Sequence, residues 1–143
     1  MMIKNIVFDI GGVLADFHVT DFLAAKGFDG PMIKRILKEL REAGYGVYYL
    51  SNYSRKAYYE CGESLTFMPY MDGGIVSFRV GMTKPDPGMY EYVLKEYSLT
   101  AGECVFVDDM PENVDIARRL GFDGIVFEDE GKLREELGRR CVL

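Results

Sequence analysis

Six residues of this chain could do chemistry together: Asp9, Ser51, Asn52, Lys84, Asp108 and Asp109. Brought close, the carboxylates of Asp9, Asp108 and Asp109 repel one another, and a hard cation taking oxygen ligands relieves that repulsion most simply. Mg²⁺ suits such a site if it also holds phosphate. The hydroxyl of Ser51, the amide of Asn52 and the lysine are then donors around that phosphate. Taken singly these signals are weak, and a strand followed by an ordinary Asp-x-Gly turn accounts equally well for the residues around Asp9.

The elements that carry these residues give the set its weight. Ile6-Val7-Phe8 is an apolar run of the kind found in buried parallel strands, and it ends on Asp9. Gly11 and Gly12 follow, and without Cβ atoms their amides can approach an anion closely. Val47-Tyr48-Tyr49-Leu50 ends on Ser51-Asn52 in the same way, and Val105-Phe106-Val107 ends on Asp108-Asp109. Lys84 lies in the turn-rich loop Gly81-Met82-Thr83-Lys84-Pro85-Asp86-Pro87. In an open parallel sheet, ligands collect beyond the carboxyl ends of the strands, so all of these positions converge on one edge.

Helical patterns separate the strands. Pro31 opens one that carries Ile33, Ile36, Leu37 and Leu40 and stops at Gly44. Residues 54–61 look helical, Pro87 opens a helix to about Tyr97, and Pro111 opens another that stops at Gly121. Gly73-Gly74 reads as a break, Ile75-Val76-Ser77-Phe78 as a short strand, and Thr100 to Glu103 as a turn. Ile125-Val126-Phe127 is a further strand before a terminal helix near 130–139. Strands alternating with helices predict a three-layer, doubly wound, Rossmann-like α/β sheet, mostly parallel, with right-handed crossovers and one domain over residues 1–143.

Composition bounds the function. A chain of 143 residues buries about two thirds of its unfolded surface, enough for one core. A formal charge of −6 argues against nucleic acid and anionic membrane surfaces as partners, so an anionic substrate must be held locally. Cys61, Cys104 and Cys141 are odd in number and lack CxxC spacing, which suggests reduced thiols in a cytosol. Asp9 interrupts the first apolar run too early for a signal peptide, and no stretch approaches a membrane span, so the cytoplasm is the expected location. His18, the single histidine, is left out of the chemistry.

With these residues in order, the chain resembles the haloacid dehalogenase superfamily of phosphohydrolases, over motifs spanning residues 9 to 113. Asp9 matches the nucleophile, Ser51 the hydroxyl after the second strand, Lys84 in Gly-x-x-Lys-Pro-Asp-Pro the family lysine, and Asp108-Asp109 with Asn113 the acidic pair. The resemblance implies a Mg²⁺-dependent phosphatase working through an aspartyl phosphate on Asp9. The metal would be held by Asp9, the backbone carbonyl of Gly11, Asp108 and Asp109. Ser51, the amide of Asn52, Lys84 and amides near Gly11 and Gly12 would hold the phosphoryl group, with Asn113 orienting the acidic loop.

Two departures stand out. Many relatives carry an acid two residues after the nucleophile, where this chain has Gly11. The Asp-x-Gly pattern does resemble a subgroup that includes active sugar phosphatases. Relatives with this lysine motif usually insert a helical cap between the first and second motifs, yet here that interval must also hold the helix at Pro31, so only a vestige of a cap fits. An uncovered site predicts a homodimer or a docking surface near residues 17–28 and 65–71. The substrate is expected to be a phosphorylated small molecule or an exposed phosphoryl group on a larger one. The alternative is a low-activity or non-catalytic phosphate-binding relic of the same fold. A phosphorelay receiver would place the acidic pair after the first strand and the lysine last, and no glycine fingerprint supports a nucleotide-binding fold.

Overall fold

The computed structural model describes residues 2–9, 31–52 and 68–143. Within them, β1 (Asn5–Phe8), α1 (Pro31–Glu42), β2 (Gly46–Ser51), β3 (Gly73–Val76), α2 (Ser77–Val80), α3 (Pro87–Glu96), β4 (Cys104–Asp108), α4 (Pro111–Arg119), β5 (Asp123–Val126) and α5 (Glu130–Arg139) follow in order. Short 3-10 turns at Met68–Tyr70 and Ala101–Glu103 lead into β3 and β4. The strands form one sheet in the order β3-β2-β1-β4-β5, with every pairing parallel. This is the doubly wound α/β architecture that the alternation of apolar runs and helical patterns predicts.

Alternate residues along the strands feed two separate cores. Ile6 and Phe8 of β1 pack with Ile36, Leu37 and Leu40 of α1 and with Leu133 and Leu137 of α5. Val7 points the other way, into Met89, Tyr90 and Val93 of α3 and Val114 and Ala117 of α4. A sheet covered on both faces explains why its central strands are continuous apolar runs. Helix ends follow local chemistry. Gly44 and Gly121 take left-handed φ values of 93° and 100°, and the amides of Tyr45 and Phe122 reach back to the carbonyls of Leu40 and Ala117, both at 3.0 Å. Such a closure needs a residue without a Cβ penalty.

The third strand departs from the sequence reading. It begins at Gly73 and ends at Val76, and Ser77 and Phe78, read as strand, open the helical turn α2 instead. Gly73 and Gly74 belong to the strand because neighbours leave no room for a side chain. A Cβ on Gly73 would come within 2.7 Å of the Tyr97 hydroxyl oxygen, and one on Gly74 would enter the ring of Tyr49. Glycine in a strand here marks a close approach, not a break.

Several expectations fall outside the described residues: Gly11 and Gly12, the vestigial cap ahead of Pro31, the surface near 17–28, the helix at 54–61, and all of the 65–71 patch before Met68. Of that patch, Tyr70 and Met71 pack against the core that contains α1. Among the described residues no helix is long and apolar enough to cross a membrane.

Candidate active site

The two central strands set the site. Phe8 pairs with Val107, and the amide of Asp9 donates to the carbonyl of Val107 at 2.8 Å, so the β1–β4 ladder continues one residue past β1. Asp9 is thereby fixed beside Asp108, the last residue of β4. Chain order reverses at this pair, since β2 and β3 lie to one side of β1 and β4 and β5 to the other. Ligands in open α/β sheets bind at such a switch point.

Lys84 reaches the same place from its loop. Its Nζ lies 2.8 Å from Asp9 Oδ1 and 2.7 Å from Asp108 Oδ2, with its side chain only 1% exposed. The ammonium also lies 5.5 Å from the centre of the Phe106 ring. The loop is shaped by Gly81 in the left-handed region, by a bond from the Asp86 amide to the Thr83 carbonyl at 2.8 Å, and by Asp86, whose carboxylate caps α3 by accepting from the Gly88 amide. The Lys84–Pro85 peptide is cis.

Asp108 is fully buried and amply partnered. Its Oδ1 accepts from the amide of Met110 at 2.9 Å, and its Oδ2 accepts from Asn113 Nδ2 at 3.1 Å as well as from Lys84. Asn113, in the first turns of α4, receives the Tyr90 hydroxyl on its carbonyl at 2.8 Å. Tyr90 in turn packs edge-on against Phe106 and Phe122.

Burial is the largest influence on Asp9, and it pushes the carboxyl up to about 7; Lys84 opposes that rise while Asp108 and Asp109 add to it. Asp109, at the solvent-facing side, is also pushed up, by partial burial and by Asp108. Burial likewise raises the Tyr90 hydroxyl.

Asp9, Asp108 and Asp109 each offer an oxygen, and these atoms lie within 4.8 Å of one another. When ionised, three carboxylates against one ammonium leave two negative charges uncompensated. A donor set of hard oxygens with that excess fits a divalent cation such as Mg²⁺. Ser51 is buried at the end of β2. Asn52, next in the chain, turns its carboxamide onto the backbone of Lys84, accepting from its N–H at 2.6 Å and donating to its C=O at 3.0 Å. Asp9, Lys84, Asp108, Asp109 and Asn52 thus gather at one sheet edge.

The contributions of Tyr90 and of the Met110 amide were not legible beforehand. Tyr90 occupies an apolar position on a helical stripe, and a backbone amide carries no sequence signal. Asn113 was anticipated only through the family resemblance, as the residue that orients the acidic loop.

The haloacid dehalogenase-like hydrolase family model matches residues 30–121. Over 94 residues the chain is 36% identical to the sesquiterpene phosphatase astK of Aspergillus oryzae, covering 66% of this chain and 48% of that protein. It is 34% identical over 68 residues to the D-ribitol-5-phosphate phosphatase of Bacteroides thetaiotaomicron, covering 48% of this chain and 33% of that protein. The chain therefore spans about half the length, or less, of these curated relatives. Among solved structures, the fold matches a HAD family enzyme from Bacteroides thetaiotaomicron in complex with magnesium and inorganic phosphate. The TM-score there is 0.70 at 20% identity, covering 89% of this chain and 95% of that one.

Proposed function

The chain belongs to the haloacid dehalogenase-like hydrolases, and from that premise we propose that it hydrolyses a phosphate monoester through an aspartyl phosphate formed on Asp9. The observation that carries this reading is the position of Lys84 Nζ between Asp9 and Asp108, at 2.8 and 2.7 Å. A buried carboxylate held beside an ammonium at a strand end is placed to attack phosphorus while the approaching negative charge is offset.

In the first half-reaction a carboxylate oxygen of Asp9 bonds to phosphorus, and the bond to the ester oxygen breaks. The departing oxygen takes a proton from solvent. In the second, water attacks the same phosphorus and gives up a proton to solvent, the acyl-phosphate bond breaks, inorganic phosphate is released, and the Asp9 carboxylate is regenerated. Lys84 faces negative charge in both. Asn113 and the Met110 amide hold Asp108 in one orientation throughout. Ser51, the backbone amide of Asn52 and the amides of Gly11 and Gly12 are assigned to the phosphoryl oxygens.

Mg²⁺ would be held by Asp9, Asp108 and Asp109, with the carbonyl of Gly11 as a further ligand, and would supply charge neutralisation for an anion entering an acidic site. The fold neighbour crystallised with magnesium makes that ion the first to test. One relative is a sesquiterpene phosphatase and another a D-ribitol-5-phosphate phosphatase. Their organic groups are unlike, so the proposal extends to the phosphoryl group of a small molecule or of a larger substrate and not to one leaving group. Activity of the purified protein on an aryl phosphate, with Mg²⁺, with excess chelator, and in Asp9→Asn, tests the reading. Undiminished turnover in Asp9→Asn or in chelator overturns it.

A further inference from the structure

Asn52 spends both ends of its carboxamide on one residue. Oδ1 accepts from the Lys84 N–H at 2.6 Å and Nδ2 donates to the Lys84 C=O at 3.0 Å. A strand residue pairs with a neighbouring strand in this manner through its backbone; here a side chain does so, across 32 positions of sequence. Lys84 is buried, so its peptide groups need partners inside the protein, and Asn52 supplies one to each. A carboxamide has one acceptor oxygen and one donor nitrogen on a rigid plane, and no other side chain of its length presents both at that spacing.

The consequence reaches the ammonium. Asn52 directly follows β2, a neighbour of β1 in the sheet, so the clamp ties the backbone of Lys84 to the strand layer that also places Asp9. The Lys84 side chain then spans from that fixed point to Asp9 and Asp108. The carboxamide oxygen and one of its two N–H groups are thus held on the Lys84 backbone.

We propose that Asn52 is a positioning residue for Lys84, acting through the lysine backbone. Its effect on rate rests on the phosphatase reading above; the clamp itself does not. The sequence reading grouped Asn52 with the phosphate donors; the clamp on Lys84 is a role that reading did not include.

The test is a double-mutant cycle read together with amide exchange. Asn52→Ala should lower kcat on an aryl phosphate about ten- to a hundredfold, the scale expected when a catalytic group is misplaced. In a Lys84→Ala background the same change should cost less than about threefold, because there is no ammonium left to position. By NMR, the Lys84 amide should exchange at least about tenfold faster in Asn52→Ala, with amides of β1 and β4 unchanged. Equal losses in both backgrounds, a native kcat in Asn52→Ala, or unchanged exchange at Lys84 would each overturn the proposal. If Asn52→Ala does not fold, Asn52→Asp keeps the volume and the acceptor while losing the donor, and the same cycle decides. If the native protein hydrolyses no phosphate ester, the proposed function falls, and exchange at Lys84 alone decides the clamp.

Discussion

Asn113 donates its carboxamide to Oδ2 of Asp108 at 3.1 Å, the same oxygen that receives Lys84 Nζ at 2.7 Å. Two donors from different elements therefore converge on one atom at the end of β4. With Oδ1 taken by the Met110 amide, the carboxylate cannot rotate without breaking several bonds. A carboxylate held so completely stays aimed.

Truncating this support should separate stability from chemistry. Tyr90→Phe removes one buried hydrogen bond to the Asn113 carbonyl and should cost about 1 kcal/mol, seen as a fall in Tm of roughly 3–5 °C for a chain of this size. Asn113→Ala removes a donor to a buried carboxylate and should cost about 1.5–3 kcal/mol, and should also lower phosphatase activity. Calorimetry and an aryl phosphate assay of the two variants check this. A wild-type Tm in both would show that the relay from Tyr90 to Asp108 holds nothing.

The raised Asp9 carboxyl gives a signed pH dependence. Burial pushes it up to about 7 from the ordinary carboxylate value of 3.8, so its contribution to stability is complete below about 3.8 and is lost as pH rises through about 7. Metal-free protein should thus lose stability across that window, and Asp9→Asn should lose less. Binding of Mg²⁺ needs the ionised form, so apparent Mg²⁺ affinity should climb with pH up to about 7 and then level. Calorimetric titrations from pH 5 to 8 read this directly, and an affinity constant across that range contradicts the assignment of Asp9 as a ligand.

Glycines of two kinds should respond differently to alanine. At Gly74 the added Cβ would enter the Tyr49 ring, and overpacking of that sort costs about 1–3 kcal/mol or more. At Gly44 nothing lies within 4 Å of the added Cβ and only the φ of +93° opposes it, which costs about 1–2 kcal/mol. Urea unfolding of Gly74→Ala and Gly44→Ala should place the first as the less stable. The reverse order would mean that β3 shifts away from Tyr49 at little cost.

These glycines also mark where the sequence could be read and where it could not. Gly44 and Gly121 end helices whose apolar positions recur with helical period, and those ends were visible in the chain. Gly74 looked like punctuation because the ring that excludes a side chain, Tyr49, lies on another strand. The strand ends at Asp9, Ser51 and Asp108 were legible because a sheet covered on both faces demands apolar runs, and a carboxylate or hydroxyl closing such a run stands out. The bonds of Asn52 were not, since the same residue type at a strand end serves as a donor to an anion or as a clamp on a loop, and only the position of Lys84 distinguishes them. Nothing in the local sequence of α3 sets Tyr90 apart from its apolar neighbours.

The last expectation concerns position 11, which lies outside the described residues. Relatives with an acid there can protonate the departing oxygen and later activate water, whereas this chain has Gly11. Among the described groups, Lys84 is committed to Asp9 and Asp108, and Asp108 accepts bonds through both oxygens, so neither is placed to relay a proton. General acid–base catalysis is worth about 10² to 10⁴ in rate, and its loss weighs most where the leaving group is a poor one. Alkyl phosphates should therefore turn over slowly and aryl or acyl phosphates faster, and Gly11→Asp should narrow that difference. The aspartyl phosphate should accumulate on good substrates, because position 11 supplies no carboxylate to activate water, and rapid quench with mass measurement of the intact chain would show it as a phosphorylated species. Similar single-turnover rates for alkyl and aryl phosphates in the native protein would mean that another group supplies the proton, and that Gly11 is no handicap.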